Sequence, residues 1–98
     1  MAIKSYRGIA TRDIALGEDS KESRKVLPPN LHPFARKKLA FLAAIESLND
    51  LRSRNGLRLH TLKADRKGQY AIMINDQYRI CFVWDGKNAE VVGIVDYH

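Results

Sequence analysis

Tyr70-Ala71-Ile72-Met73-Ile74-Asn75-Asp76-Gln77-Tyr78-Arg79-Ile80-Cys81-Phe82-Val83-Trp84-Asp85-Gly86 reads as two strands and the turns that close them. Tyr70–Ile74 and Tyr78–Trp84 are rich in β-branched and aromatic residues, and Asn75-Asp76-Gln77 between them is a tight connection. Asp85-Gly86 is a hairpin turn signal, and Ala89–Val95 behind it reads as the next strand. Upstream, Leu57–Leu62 reads as a further strand, joined to Tyr70 by the turn Ala64-Asp65-Arg66-Lys67-Gly68. Within 78–84 the period-2 alternation puts Ile80, Phe82 and Trp84 on one face and Arg79, Cys81 and Val83 on the other. Both faces carry apolar residues, so this strand reads as central. An arginine there requires a carboxylate or a bound anion, because a buried charge without one is costly. In 57–62 the same alternation places Arg58 and His60 on one face and Leu57 and Leu59 on the other.

The first half has the helical period instead. Residues 2–6 are compatible with a short strand. Residues 9–16 read as a helix stopped by Gly17, and 18–25 as a short helix or a loop. Pro28-Pro29 breaks any regular element. Beyond it Leu31, Ala35, Leu39, Leu42, Ile45 and Leu48 recur at spacings of three and four, predicting an amphipathic helix over 31–48. Asn30 is its candidate N-cap, and Pro33 is tolerated in its first turn. Asn55-Gly56 closes this half as a turn. Helices followed by an antiparallel meander predict an α+β domain, its helices packed on one face of a small, mostly antiparallel sheet. The 98 residues are expected to form one domain, 1–98, too small for separate cofactor and substrate domains.

Composition narrows the chemistry. One cysteine, Cys81, excludes an internal disulfide framework and suits a reducing compartment. The three histidines, His32, His60 and His98, lie in no metal-ligating spacing, so neither a metal site nor a cofactor is expected. No apolar run approaches the ~20 residues of a membrane span, and the first residues form no signal peptide. A cytoplasmic protein without a membrane partner is expected. Seventeen basic against eleven acidic residues give a net charge of +6, which favours polyanions, nucleic acid first. The excess is concentrated in Arg52, Arg54, Arg58, Lys63, Arg66 and Lys67, against one acid, Asp65.

Four regions carry candidate chemistry. They are the strand bearing Arg58, His60 and Lys63, the basic turn with Arg66 and Lys67, the pair Tyr78-Arg79, and the final residues Asp96-Tyr97-His98. Taken singly each has a structural explanation: a hydrogen-bonded strand histidine, solvated cations, a packing tyrosine, a frayed end. Taken together they match the needs of RNA cleavage by the 2′-hydroxyl. That reaction requires a base, an acid for the 5′-oxygen, and cations for charge growing on the phosphoryl oxygens. Histidine titrates near ~6.5 and serves as either base or acid at neutral pH. Lysine and arginine supply the charge.

Three stretches resemble one family: Arg58 to Tyr70 with its His-x-x-Lys and basic turn, Ile74 to Phe82 with Asn-x-x-Tyr-Arg, and the terminal Asp-Tyr-His. The chain resembles the HigB toxins, the host-inhibition (plasmid maintenance killer) branch of the RelE/ParE superfamily, and the similarity extends over the Asp13–Pro29 segment and the long helix. The resemblance implies a RelE-like, microbial-RNase-like α+β fold. It also implies the toxin of a type II toxin–antitoxin system, a metal-independent endoribonuclease that cuts mRNA in the ribosomal A site and so inhibits translation. Implied partners are a HigA-type helix-turn-helix antitoxin, the ribosome with its rRNA and mRNA, and operator DNA only through the antitoxin. Carried over residue by residue, His60, Tyr97, His98 and Asp96 are the catalytic candidates. Lys63, Arg79, Arg66, Lys67 and Arg58 are the candidates for holding phosphate or RNA. Ala64 departs from the pattern, because many relatives carry glycine there, and a positive φ at that position would strain alanine. Two alternatives remain open: a ParE-like, non-catalytic inhibitor of DNA gyrase, and an inactive homologue that only binds the antitoxin.

Overall fold

The computed structural model describes residues 3–53, 58–61 and 68–96, with 60 and 61 described by backbone alone. Among the described residues four helices, α1 (Ile9–Leu16), α2 (Lys21–Val26), α3 (His32–Ala44) and α4 (Leu48–Arg52), precede four strands, β1 (His60–Thr61), β2 (Gln69–Met73), β3 (Tyr78–Trp84) and β4 (Ala89–Asp96). The strands form one antiparallel sheet in the order β1-β2-β3-β4. The α+β architecture expected from the sequence is the one observed.

The helices are held to one another by their exposed backbone ends. Gly17, at φ 80°, terminates α1, its N–H reaching Ile14 O while Glu18 N–H reaches Asp13 O. This is the paired-bond ending that glycine favours, because it takes positive φ without a Cβ clash. Ser20 caps α2 reciprocally with Ser23 and donates its hydroxyl to the buried Asp13 carboxylate at 2.7 Å, joining α1 to α2. His32 is buried, with Nε2 at 3.1 and 2.8 Å from the carbonyls of Ser23 and Leu27. Both partners only accept, so Nε2 carries the proton and closes the end of α2. Arg36 Nε donates to Ile14 O, fastening α3 to the end of α1. Lys38 Nζ donates to Ile74 O on the β2–β3 turn, and partial burial lowers its pKa.

Three sequence expectations change. The helix over 31–48 is broken: α3 ends at Ala44, Ile45 is extended, and α4 begins after Ser47. The cause is Asp50, whose carboxylate accepts from Glu46 N and Ser47 N and starts a new helix while the apolar stripe continues across the gap. Asn30 is not an N-cap. It lies inside a 3₁₀ turn, Pro29–Leu31, closed by Leu31 N to Pro28 O, which runs directly into α3. Of the short strand expected over 2–6, residue 2 lies outside the described residues and 3–6 are not a strand either. Ile3 and Tyr6 make isolated parallel bridges to Ala89 and Val92.

Those bridges cover the outer edge of β4, which would otherwise present unpaired backbone to solvent. Lys4 N donates to Ala89 O, Arg7 N to Val92 O, Ser5 accepts from Val91 N and Val92 N, and Thr11 Oγ1 takes Ile94 N. The core lies between the helices and one sheet face, with Ile14, Leu27, Leu42, Leu51, Ile72, Ile80 and Val92 fully enclosed. Tyr70 and Phe82 stack there at 6.0 Å between centroids.

Candidate functional site

Alternation along β2 and β3 divides the sheet. Ile72, Ile80 and Phe82 face the helices, which leaves Gln69 and Met73 on β2 and Arg79, Cys81 and Val83 on β3 for the opposite face. Cross-strand register then defines levels on that second face. His60 is opposite Ala71, Ala71 opposite Cys81, and Cys81 opposite Gly93. The neighbouring level is Met73, Arg79 and Val95, two residues or about 7 Å along the strands. On the other side of the central level lie Gln69 and Val83.

The predicted site residues fall as follows. The backbone of His60 occupies the central level, at the β1 edge. Arg79 is one level away on β3, which is interior as the sequence indicated, and its Nε and Nη1 are sheltered from water. Asp96 ends β4 opposite Tyr78, and its Oδ2 accepts from Gln77 Nε2 at 3.2 Å. Because successive strands are antiparallel, β1 starts at the same end of the sheet where β4 finishes. The two edge strands are separated there by three spacings, about 14 Å. Along the strands the backbone of position 60 is level with Cys81, Arg79 lies one two-residue step nearer that end, and Asp96 lies at it, on the opposite face from Arg79. Arg58 is exposed and stands outside the strand with φ 46°, so of the predicted 57–62 strand the described residues 58 and 59 lie before β1 and 60–61 form it, 57 and 62 lie outside the described residues, and the alternation argument does not reach Arg58. Lys63, Arg66, Lys67, Tyr97 and His98 lie outside the described residues, as do Ala64 and most of the basic turn.

One cation on this face was not singled out from the sequence. Arg7 arrives from the segment that borders β4, and its side chain lies across Gly93. A Cβ placed on that glycine would meet Arg7 Cδ at 3.1 Å and Cβ at 3.2 Å. Arg7 lines a hollow of about 390 Å³ together with Gln69, Cys81, Phe82, Val83 and Val91. Val91 takes φ 52° where the β3–β4 register slips between Cys81 and Val83. The available signal was Gly93, since an isolated glycine in a strand often marks the close approach of another chain segment.

Chemically, the face offers the guanidinium groups of Arg7 and Arg79 and a floor of small residues, Ala71, Cys81 and Gly93, whereas Asp96, paired with Tyr78, alternates to the helix-facing side. That composition suits a phosphodiester chain better than a flat apolar partner. Among the described residues no three His, Cys, Asp or Glu side chains gather as a metal site would require, and no helix is long and apolar enough to cross a membrane.

Comparison with known proteins adds a family. Residues 16–98 match the family described as the RelE-like toxin of the type II toxin–antitoxin system HigB. The chain is 36% identical over 67 residues to Toxin HigB-1 of Vibrio cholerae serotype O1, covering 68% of this chain and 70% of that protein. It is 33% identical over 70 residues to an uncharacterised protein of Haemophilus influenzae, covering 71% of this chain and 67% of that protein.

Proposed function

Because the chain belongs to the HigB-like family of type II toxins, we propose that it acts as an endoribonuclease on mRNA in the A site of translating ribosomes, in the cytoplasm. The antitoxin partner that a type II toxin implies is, on this reading, a HigA-type helix-turn-helix protein, through which alone the toxin reaches operator DNA.

The proposed step is in-line attack of a ribose 2′-oxygen on the adjacent phosphorus. The O2′–P bond forms and the P–O5′ bond breaks, leaving a 2′,3′-cyclic phosphate and a 5′-hydroxyl. His60 exchanges the proton at one oxygen, and His98 or Tyr97 at the other, with Asp96 orienting that second group. Lys63 and Arg79 stabilise the charge that builds on the non-bridging oxygens. Arg58, Arg66 and Lys67 hold RNA backbone.

The observation that carries this reading is the register: the backbone of position 60 is level with Cys81, two strands across the sheet, and that level is one two-residue step from Arg79. Mapping transcript 5′ ends after induction in cells lacking the antitoxin tests it. New ends within translated regions are expected, and His60→Ala reduces them by about 10²-fold or more. Full growth arrest by a well-folded His60→Ala protein removes the assignment. Intact mRNA accompanied by DNA damage would instead favour gyrase inhibition.

A further inference from the structure

The hollow lined by Arg7 reaches from the central level, where Cys81 lines it, to the level of Gln69 and Val83, away from Arg79. Its rim is chemically mixed. Arg7 contributes a guanidinium, Gln69 an amide with both donor and acceptor, and Val83 and Val91 contribute apolar walls. Its volume, about 390 Å³, falls in the range of small-ligand sites. Arg7 is tied to the sheet twice, through its N–H to Val92 O and through its aliphatic stem on Gly93. The stem of this exposed side chain is therefore fixed by the fold at the hollow that it lines. From the Arg79 level to the Gln69 level is two steps along the strands, about 14 Å, and midway is the central level, which holds Cys81 and Gly93 and, on the far edge strand, the backbone of position 60. A single strand crossing between two such cations would pass over the central level.

We propose that this hollow is a nucleotide subsite for single-stranded RNA, binding the residue on the side of the scissile bond away from Arg79. Arg7 holds its phosphate, Val83 and Val91 take the face of the base, and Gln69 reads the base edge. The inference rests on the RNA-cleavage reading for its substrate class and adds to it a specificity-determining position. Val91, at φ 52°, lines the hollow together with Arg7.

The test uses the full chain and a 2′-O-methylated hexaribonucleotide, which lacks the attacking hydroxyl. Amide shifts of Arg7, Gln69, Val83 and Val91 should move on binding. Arg7→Met keeps the aliphatic contact with Gly93 and removes the charge. It should weaken binding roughly five- to tenfold and reduce the salt slope by about one, with an unchanged thermal midpoint. Gln69→Ala should alter the ranking among uniform-base oligomers. Binding by Arg7→Met with wild-type affinity and slope overturns the proposal. So does a perturbation confined to the Arg79 end, or one produced at the hollow by the antitoxin and not by RNA. Oligomer in the hollow with no transcript cut by the wild type sinks the cleavage reading and leaves the subsite. Cut transcripts with an indifferent Arg7→Met do the reverse.

Discussion

Val91 shows how a single residue departs from what its chemistry prefers. A β-branched side chain at φ 52° is a genuine steric outlier, since positive φ costs an L-residue roughly 1–2 kcal/mol even without branching. The bulge opposite Phe82 imposes it, and Ser5 sustains it by accepting both the Val91 and Val92 N–H groups. The side chain is 49% exposed, so burial returns little of that cost. Asparagine tolerates the left-handed region far better. Val91→Asn is therefore expected to stabilise the fold by about 1 kcal/mol, read as a rise of ~4–8 °C in the melting midpoint of a domain this size. A midpoint that falls would mean that the valine is held by packing in the hollow and that its strain is offset there.

The secondary-structure elements were legible where local pattern and tertiary context agree. The helix over 9–16 with its Gly17 stop and the strand over 78–84 match residue for residue, because the chain terminators and the alternating apolar residues are the same features that the fold uses. Legibility failed where a side chain competes with periodicity. Asp50 breaks α3 from α4 although Ile45 and Leu48 prolong the stripe. It failed again where the decisive partner is far along the chain. Nothing in residues 3–7 announces that they border β4, whose partners lie more than eighty residues away. For the same reason Arg7 escaped notice, whereas Arg79 could be flagged from its strand alone. This edge coverage can be tested at one bond. Thr11 Oγ1 accepts Ile94 N–H at 3.1 Å, with both residues buried. Thr11→Val preserves shape and deletes the acceptor, so it should cost roughly 1–3 kcal/mol in chemical denaturation, whereas Thr11→Ser should cost less. A neutral Thr11→Val would show that water or another acceptor takes the Ile94 N–H and that the α1–β4 link is weak.

At the scale of the whole molecule, charge and size together set what a substrate must bring. The chain carries a net +6 over 98 residues, and its described cations on the open sheet face, Arg7 and Arg79, sit at two levels of one short sheet. The net positive charge favours polyanions, but two cations on one short sheet contact only a few phosphates of a chain. On the proposed reading, in-line alignment of the 2′-oxygen, phosphorus and 5′-oxygen then falls to whatever else holds the mRNA. Fixing reacting groups in attack geometry is worth several orders of magnitude, so a ribosome that holds the codon supplies an orientation that free RNA lacks. Cleavage of a programmed ribosome complex is accordingly expected to exceed cleavage of the same RNA in free solution by about 10²-fold or more. Toxin affinity for the complex should fall steeply between about 50 and 200 mM salt as phosphate-bound counterions cease to be released favourably. Single-turnover rates on matched free and ribosome-bound transcripts, repeated across salt, measure both. Equal rates on the two substrates would mean that the protein's own face aligns the attack, and the division of labour argued here between catalytic groups and template would be wrong.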